Sequence, residues 1–507
     1  MIRSKLSLCL AATLAMAAQT ASAQVSGLPA EINAREAADA QLQSNINAEA
    51  TARAAADIQL QRSIDTESAA RAAAALQLQR NIDGEAGARA AGDTQLQTQI
   101  DQLRSSIGSG GGGGGSVSVT VDCTTGGSLS QALASGAQQI TVRGRCTESL
   151  DITRDGVTLL GEPGATISGP DPSVNTINVR ANRVTIDGLT VTGGRNGITG
   201  VGAANLTVRN CTAENTGRTG ISFANGSSGT VDGCIVQFNG RDGVSADGAQ
   251  ATIVNSTITG NARNGVLIAN GGTARVGLTD RLVAAGNTIT QNGGTGVSVV
   301  LGSMATIAMN TISGNGTNPS LPRFGVAVSQ AAASIAGGNT ISDNAGQGVF
   351  AGTGSSVLLG DLNTGLTTVN TISHNGNPAS PGGVHAFLGS TIVVRDALIE
   401  LNNGPGLMLN TRSLGQIFSS TIQDNRDVPT TTGLINKGDG IRVIFGSSLL
   451  GSTPASSISR NAGIALQCTD QESSTNVNSN GAIGATQFLL FSGNQAGTGD
   501  FSTCSGF

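Results

Sequence analysis

The 507-residue chain has no tryptophan, no tyrosine, only two lysines (Lys5 and Lys437) and only two histidines (His374 and His385). Sugar-binding clefts usually stack pyranose rings on Trp or Tyr, so their absence weighs against a glycan depolymerase. Charged residues make up 12% of the chain and the formal net charge is −5, so no global attraction to nucleic acid is expected. Past the first two dozen residues, no run approaches the ~18 apolar residues that a membrane helix needs. Neither histidine has a carboxylate at motif spacing. No metal-ligand cluster or cofactor motif stands out, and no catalytic signature is present.

Residues 1–23 read as a secretory signal: Arg3 and Lys5, an apolar stretch from Leu6 to Ala18, then Ala21-Ser22-Ala23 before Gln24. Its removal takes two of the 28 basic residues and none of the 33 acidic ones, so the balance of −5 becomes −7. The expected product is exported to the cell surface or medium, with the periplasm as the other compartment. An oxidising compartment suits the six cysteines that remain. Cys146 follows Cys123 by the same interval as Cys234 follows Cys211. In a coil of that length, residues one period apart stack at ~4.8 Å, within the Cα separation a disulfide tolerates. Cys468 and Cys504 pair by elimination; free buried thiols are the alternative.

What is abundant is repetition. Residues 31–102 hold four copies of an 18-residue unit beginning at Glu31, Glu49, Glu67 and Glu85. Each keeps an Arg at its fifth place (Arg35, Arg53, Arg71, Arg89) and an Ile at its sixteenth (Ile46, Ile64, Ile82, Ile100). Eighteen residues make five helical turns, so the pattern returns to one face without drift. A stripe this thin needs a partner copy. The expectation is a coiled-coil stalk over 31–107, a parallel homotrimer, with a Glu–Arg pair fixing register in the seam. A single solvated helix is the alternative. The composition resembles trimeric coiled coils of phage tail fibres and bacterial surface adhesins. Residues 108–116, with six consecutive glycines from Gly110 to Gly115, read as a flexible linker.

From residue 117 to 507 the text is short Val/Ile/Thr runs punctuated by Gly and Asn. A six-residue word, Asn-Thr-Ile-Thr-Gln-Asn at 287–292, recurs from Asn310, Asn339 and Asn370, and with an initial Ser from Ser256, Ser420 and Ser456. Three short strands per ~23 residues predict an all-β parallel β-helix. Ile258, Ile289, Ile312, Ile341, Ile372, Ile422 and Ile458 should form one interior ladder, and the closing asparagines a second. The longer intervals, from Ser256 to Asn287 and from Asn310 to Asn339, predict loops bulging from one corner.

This word pattern resembles the right-handed parallel β-helix repeat family, the pectate-lyase-like superfold. The resemblance implies a polysaccharide-handling fold without implying one activity. Lyases, hydrolases, epimerases, tailspikes and adhesive rods share it.

Three constellations are candidates for chemistry. Lys437, Asp439 and Arg442 read as a surface ion pair or as a base with its tuner. Asp242 and Asp247 would be an acid pair or cation site. His374, at the fifth place of its word, reads as a solvated turn residue. The most pointed feature is Arg195, Arg218, Arg241 and Arg263, spaced at nearly equal intervals of one coil, each two residues before a Gly. In a solenoid they form a row that either caps turn carbonyls or binds an anionic ligand bidentately. The reading is therefore an exported surface or matrix protein that binds acidic polysaccharide or cell-surface glycan without catalysis. The alternatives are a polysaccharide lyase or tailspike-like depolymerase, and a purely structural rod.

Overall fold

The computed structural model describes residues 117–360, 368–429 and 435–451 continuously, shorter pieces between 455 and 502, and helical residues within 35–59. The chain divides into two units, 1–114 and 115–507. In the first, residues 35–45 are helical and exposed, and Arg53 Nε lies 2.8 Å from Glu49 Oε1, four residues earlier. In this one copy the Glu–Arg pair closes within one chain at i,i+4. The signal segment, the later repeats and the glycine linker lie outside the described residues.

The second unit is a solenoid of three parallel sheets. One coil shows the plan: Leu206–Arg209 in the first sheet, Thr212–Glu214 in the second and Ile221–Ala224 in the third. The chain then returns to the first sheet at Ser228–Asp232. Period-2 alternation sends every second side chain inward, and the ladders are in register: Val208 opposite Val231, Ala213 opposite Val236, Ile221 opposite Val244. At the N-terminal end the short helix Leu129–Ala134 buries Leu129 and Ala132 in the core.

The expected isoleucine ladder is present. Ile258, Ile289, Ile312, Ile341 and Ile372 are consecutive partners and fully buried. Ile399 then precedes Ile422 and Ile458. The asparagine ladder is present too. From Asn239 through Asn261, Asn292, Asn315, Asn344, Asn375, Asn402 and Asn425 to Asn461, each Nδ2 donates to the next Oδ1 at 2.9–3.2 Å. The first Asn of the word forms a further ladder, Asn287 to Asn310 to Asn339 to Asn370. The recurring Gly has a packing cause. A Cβ at Gly265 would lie 2.5 Å from Ile289 Cγ2 and 2.9 Å from Asn292 Nδ2, so any side chain there would push out both ladders.

Two expectations need correction. The long intervals do not bulge from one corner. Residues 277–286 leave between the first and second sheets, whereas residues 314–325 leave between the second and third. Cys123 and Cys146 are joined by a disulfide, with Cα atoms 5.1 Å apart. Cys211 and Cys234 are instead free and buried. They stand one above the other at the second sheet, next to Thr212 and its partner Ile235. In-register parallel neighbours keep their Cβ atoms at the strand spacing of ~4.8 Å, beyond the ~3.8 Å that a disulfide prefers. Each thiol points at main-chain carbonyls, Cys211 at Arg209 O and Cys234 at Asp232 O. The hydrogen bond with Cys211, then burial, pushes the Cys234 thiol up. The Cys468 side chain and Cys504 lie outside the described residues.

Candidate functional site: the outer face of the third sheet

The corner between the second and third sheets carries the arginine row. Ile198, Ile221, Val244 and Val266 are successive partners in the third sheet, so Arg195, Arg218, Arg241 and Arg263, each three positions earlier, occupy one corner of four successive coils. The main chain confirms the stacking: Arg241 N donates to Arg218 O and Arg263 N to Arg241 O, both at 2.7 Å. At ~4.8 Å per coil, like charges repel unless something compensates. Arg241 is compensated: its Nε lies 3.4 Å from Asp242 Oδ2, an ion pair without hydrogen-bond alignment. Burial, then the charges of Arg241 and Arg195, push the Arg218 guanidinium below its usual range. Among the described residues, Arg195, Arg218 and Arg263 form no ion pair, although the Asp242 carboxylate partly offsets the repulsion at Arg218.

The row is longer than the sequence spacing suggested. Val297 and Val326 are partners, which places Gly294 and then Arg323 on the two coils after Arg263. Gly294 N donates to Arg263 O at 2.6 Å, continuing the stack. Arg323 escapes a search by interval because residues 314–325 lengthen its coil. The local text Arg-x-Gly-(Ile/Val) marks all five positions: 195–198, 218–221, 241–244, 263–266 and 323–326.

Beside the row, the outward residues of the third sheet change character along the stack. Thr199, Ser222 and Ser245 come first, with Ser245 Oγ 3.0 Å from Ser222 Oγ. Further down come Phe350, His385, Met408 and Arg442. Phe324 and Phe350 stack with ring centroids 4.5 Å apart and planes 6° apart. His385 meets Phe350 edge-on at 5.6 Å, and Phe387 lies 6.5 Å from Phe350. A Cβ at Gly352 would sit 2.5 Å from Phe350 Cε1, so that glycine lets the ring lie over the strand. Sequence reading missed this cluster, because its members come from three coils separated by loops of unequal length.

His385 is buried, its Nδ1 lies 3.4 Å from Gln347 Nε2, and its Nε2 has no hydrogen-bond partner among the described residues. Burial lowers its pKa from 6.5 to about 4. Between those values the unfolded chain binds the proton that the folded chain refuses, so stability falls as pH drops from about 6.5 to about 4. The full loss is about 3 kcal/mol. Urea midpoints at pH 7 and pH 4.5 should show a smaller drop in His385→Leu than in the native protein; equal drops would remove this role.

The other candidates fall to structural roles. His374 is exposed at φ 57°, the left-handed fifth place of its word. Lys437 pairs with Asp427 at 3.0 Å, not with Asp439. Asp439 is buried and pairs with Arg442 at 2.6 Å, so no lysine base is tuned by it. Asp242 stands two residues before the strand Val244–Asp247 and Asp247 at its end, and they are engaged separately, by Asn264 and by Asn270. Among the described residues they share no partner that would join them as an acid pair.

Comparison with known proteins agrees with the architecture. The family model "Right handed beta helix region" matches residues 150–280 and 242–361. No curated protein matches the chain. Among solved structures, pectate lyase Pel9A is 15% identical, covering 53% of this chain and 72% of its own, with a TM-score of 0.33. The A-module of the Azotobacter vinelandii mannuronan C-5 epimerase AlgE6 is 16% identical, covering 72% and 93%, with a TM-score of 0.39. Tailspike protein 3 of bacteriophage CBA120 is 13% identical, covering 75% and 58%, with a TM-score of 0.33. At such identities and scores nothing about activity passes from them to this chain. Residues 150–361 match the right-handed β-helix family model, and the in-register parallel sheets carry the same β-helix architecture through the described C-terminal unit.

Proposed function

We propose that this is an exported protein that binds an extended acidic polysaccharide along the corner between the second and third sheets, without turning it over. The observation that carries this reading is the in-register arginine row, of which Arg241 alone is ion-paired among the described residues. Guanidiniums that repel one another are stabilised by a ligand that supplies an anion to each. The disulfide Cys123–Cys146 and the signal-like residues 1–23 support export. The 18-residue repeat supports a stalk that gathers copies, as a homotrimer, so that weak sites gain avidity.

A polysaccharide lyase or depolymerase is the second reading. The neutral, buried His385 among aromatic rings favours it, although Gln347 is its only hydrogen-bonding neighbour among the described residues. Incubating the purified chain with immobilised acidic polysaccharides, with and without Ca²⁺, separates the readings. Retention with no new reducing ends and no unsaturated products is the expected result. Product formation would establish the enzyme, and neither outcome would leave a structural rod.

A further inference from the structure

Phe324 directly follows Arg323, and the Arg323 carbonyl accepts from Gly346 N on the next coil at 2.7 Å. The end of the arginine row therefore abuts the ring cluster of Phe324, Phe350, His385 and Phe387. Aromatic rings on the outside of a sheet have no core to fill. Phe324, Phe350 and Phe387 are all partly exposed there. Their mutual contacts, at 4.5–6.5 Å, fix them as one surface. His385 stays neutral beneath it, so the cluster itself adds no charge near neutral pH.

We infer that Phe324 and Phe350 form a ring-stacking subsite at the end of the row, where Arg323 holds an acidic group of the same sugar unit. This rests on the polyanion reading and narrows it. The ligand is a polymer of acidic pyranose rings with an apolar C–H face, not a polyphosphate. The arginines read charge alone, and a ringless polyanion satisfies them equally. The phenylalanines read the ring, in the place that Trp or Tyr would take in another chain.

The missing fluorophores make the test clean. With no Trp or Tyr in the native chain, Phe324→Trp introduces the sole indole. Its emission should shift on adding alginate or polygalacturonate and stay unchanged with inorganic polyphosphate at matched charge. Retention gives the second readout. Phe324→Ala and Phe350→Ala should each weaken uronate binding by tenfold or more and leave polyphosphate binding as in the native chain. Charge reversal in the row should weaken both. Phe324→Leu guards against a packing effect: it keeps the bulk without the ring and should lose uronate binding as Phe324→Ala does. Uronate binding unchanged in Phe324→Ala and Phe350→Ala overturns the subsite while leaving the row intact. An emission shift with polyphosphate equal to that with uronate overturns it as well.

Discussion

Replacing Arg218 and Arg263 by Glu should abolish retention on acidic polysaccharide and leave the protein at least as stable as before. The two effects have opposite signs for one reason. Neither residue is ion-paired among the described residues, and both stand next to Arg241. Arg218 carries the repulsion as a lowered guanidinium pKa, after the effect of burial. Glu at these places alternates the charge down the corner. Exposed pairs contribute ~0.2–1 kcal/mol each, so the melting temperature should hold or rise slightly. Each lost charge-assisted contact to ligand costs ~1.5–3 kcal/mol. Two lost contacts lower affinity by about two to four orders of magnitude. Arg241 is spared because Glu there would face the buried carboxylate of Asp242. Retention unchanged in the double variant would reduce the row to a structural feature. A loss of retention accompanied by unfolding would point to structure, and Arg218→Gln with Arg263→Gln would then decide it.

The largest stability effect should come from the asparagine ladder. Asn344 Nδ2 donates to Ile312 O at 3.0 Å and to Asn375 Oδ1 at 2.9 Å, while Asn344 Oδ1 accepts from Asn315 N and Asn315 Nδ2 at 3.0 Å each. Asn344→Leu fits the volume but takes from Asn315 the acceptor of its N–H and of one Nδ2 proton, and from the Ile312 carbonyl one of its donors, in a dry interior. Each orphaned group costs ~1–3 kcal/mol, for a total on the order of 4 kcal/mol. In a solenoid each coil contacts its neighbours, so the damage should be local. Hydrogen exchange should show lost protection over residues 311–313, 340–342 and 371–373 while the coils around Thr212–Glu214 stay protected. Unchanged protection would mean that the ladder contributes little and apolar burial alone holds the coil.

The sequence reveals what repeats strictly and hides what repeats with interruption. The interior isoleucines and the closing asparagines are legible because one residue type recurs at those places coil after coil from Ile258 and Asn239 onward, and the packing of both ladders explains the glycine at 265 and its equivalents. The coil at 397–402 escapes because it opens with Ala397 and has Leu398 and Leu401 where other words have polar residues, although Ile399 and Asn402 keep both ladders. Arg323 and the phenylalanines escape because the loops at 314–325 and 376–382 break the interval that reveals stacking. The Cys211–Cys234 pairing fails for a geometric reason that spacing cannot show: parallel neighbours stack at the strand spacing, wider than the Cβ separation a disulfide prefers, and the two thiols meet only in a hydrogen bond. His385 carries no signal in sequence, since no carboxylate stands at motif spacing, yet a strand places it on the face of the third sheet.

Isothermal titration with oligouronates of increasing length tests the row itself. The row from Arg195 to Arg263 spans three inter-coil steps, ~14 Å. Affinity should climb with each added acidic unit until the ligand covers that span, then climb again only as it reaches Arg323 and the rings. The Arg218→Glu, Arg263→Glu protein should show no such climb. Identical length profiles for the native and reversed proteins would contradict the account.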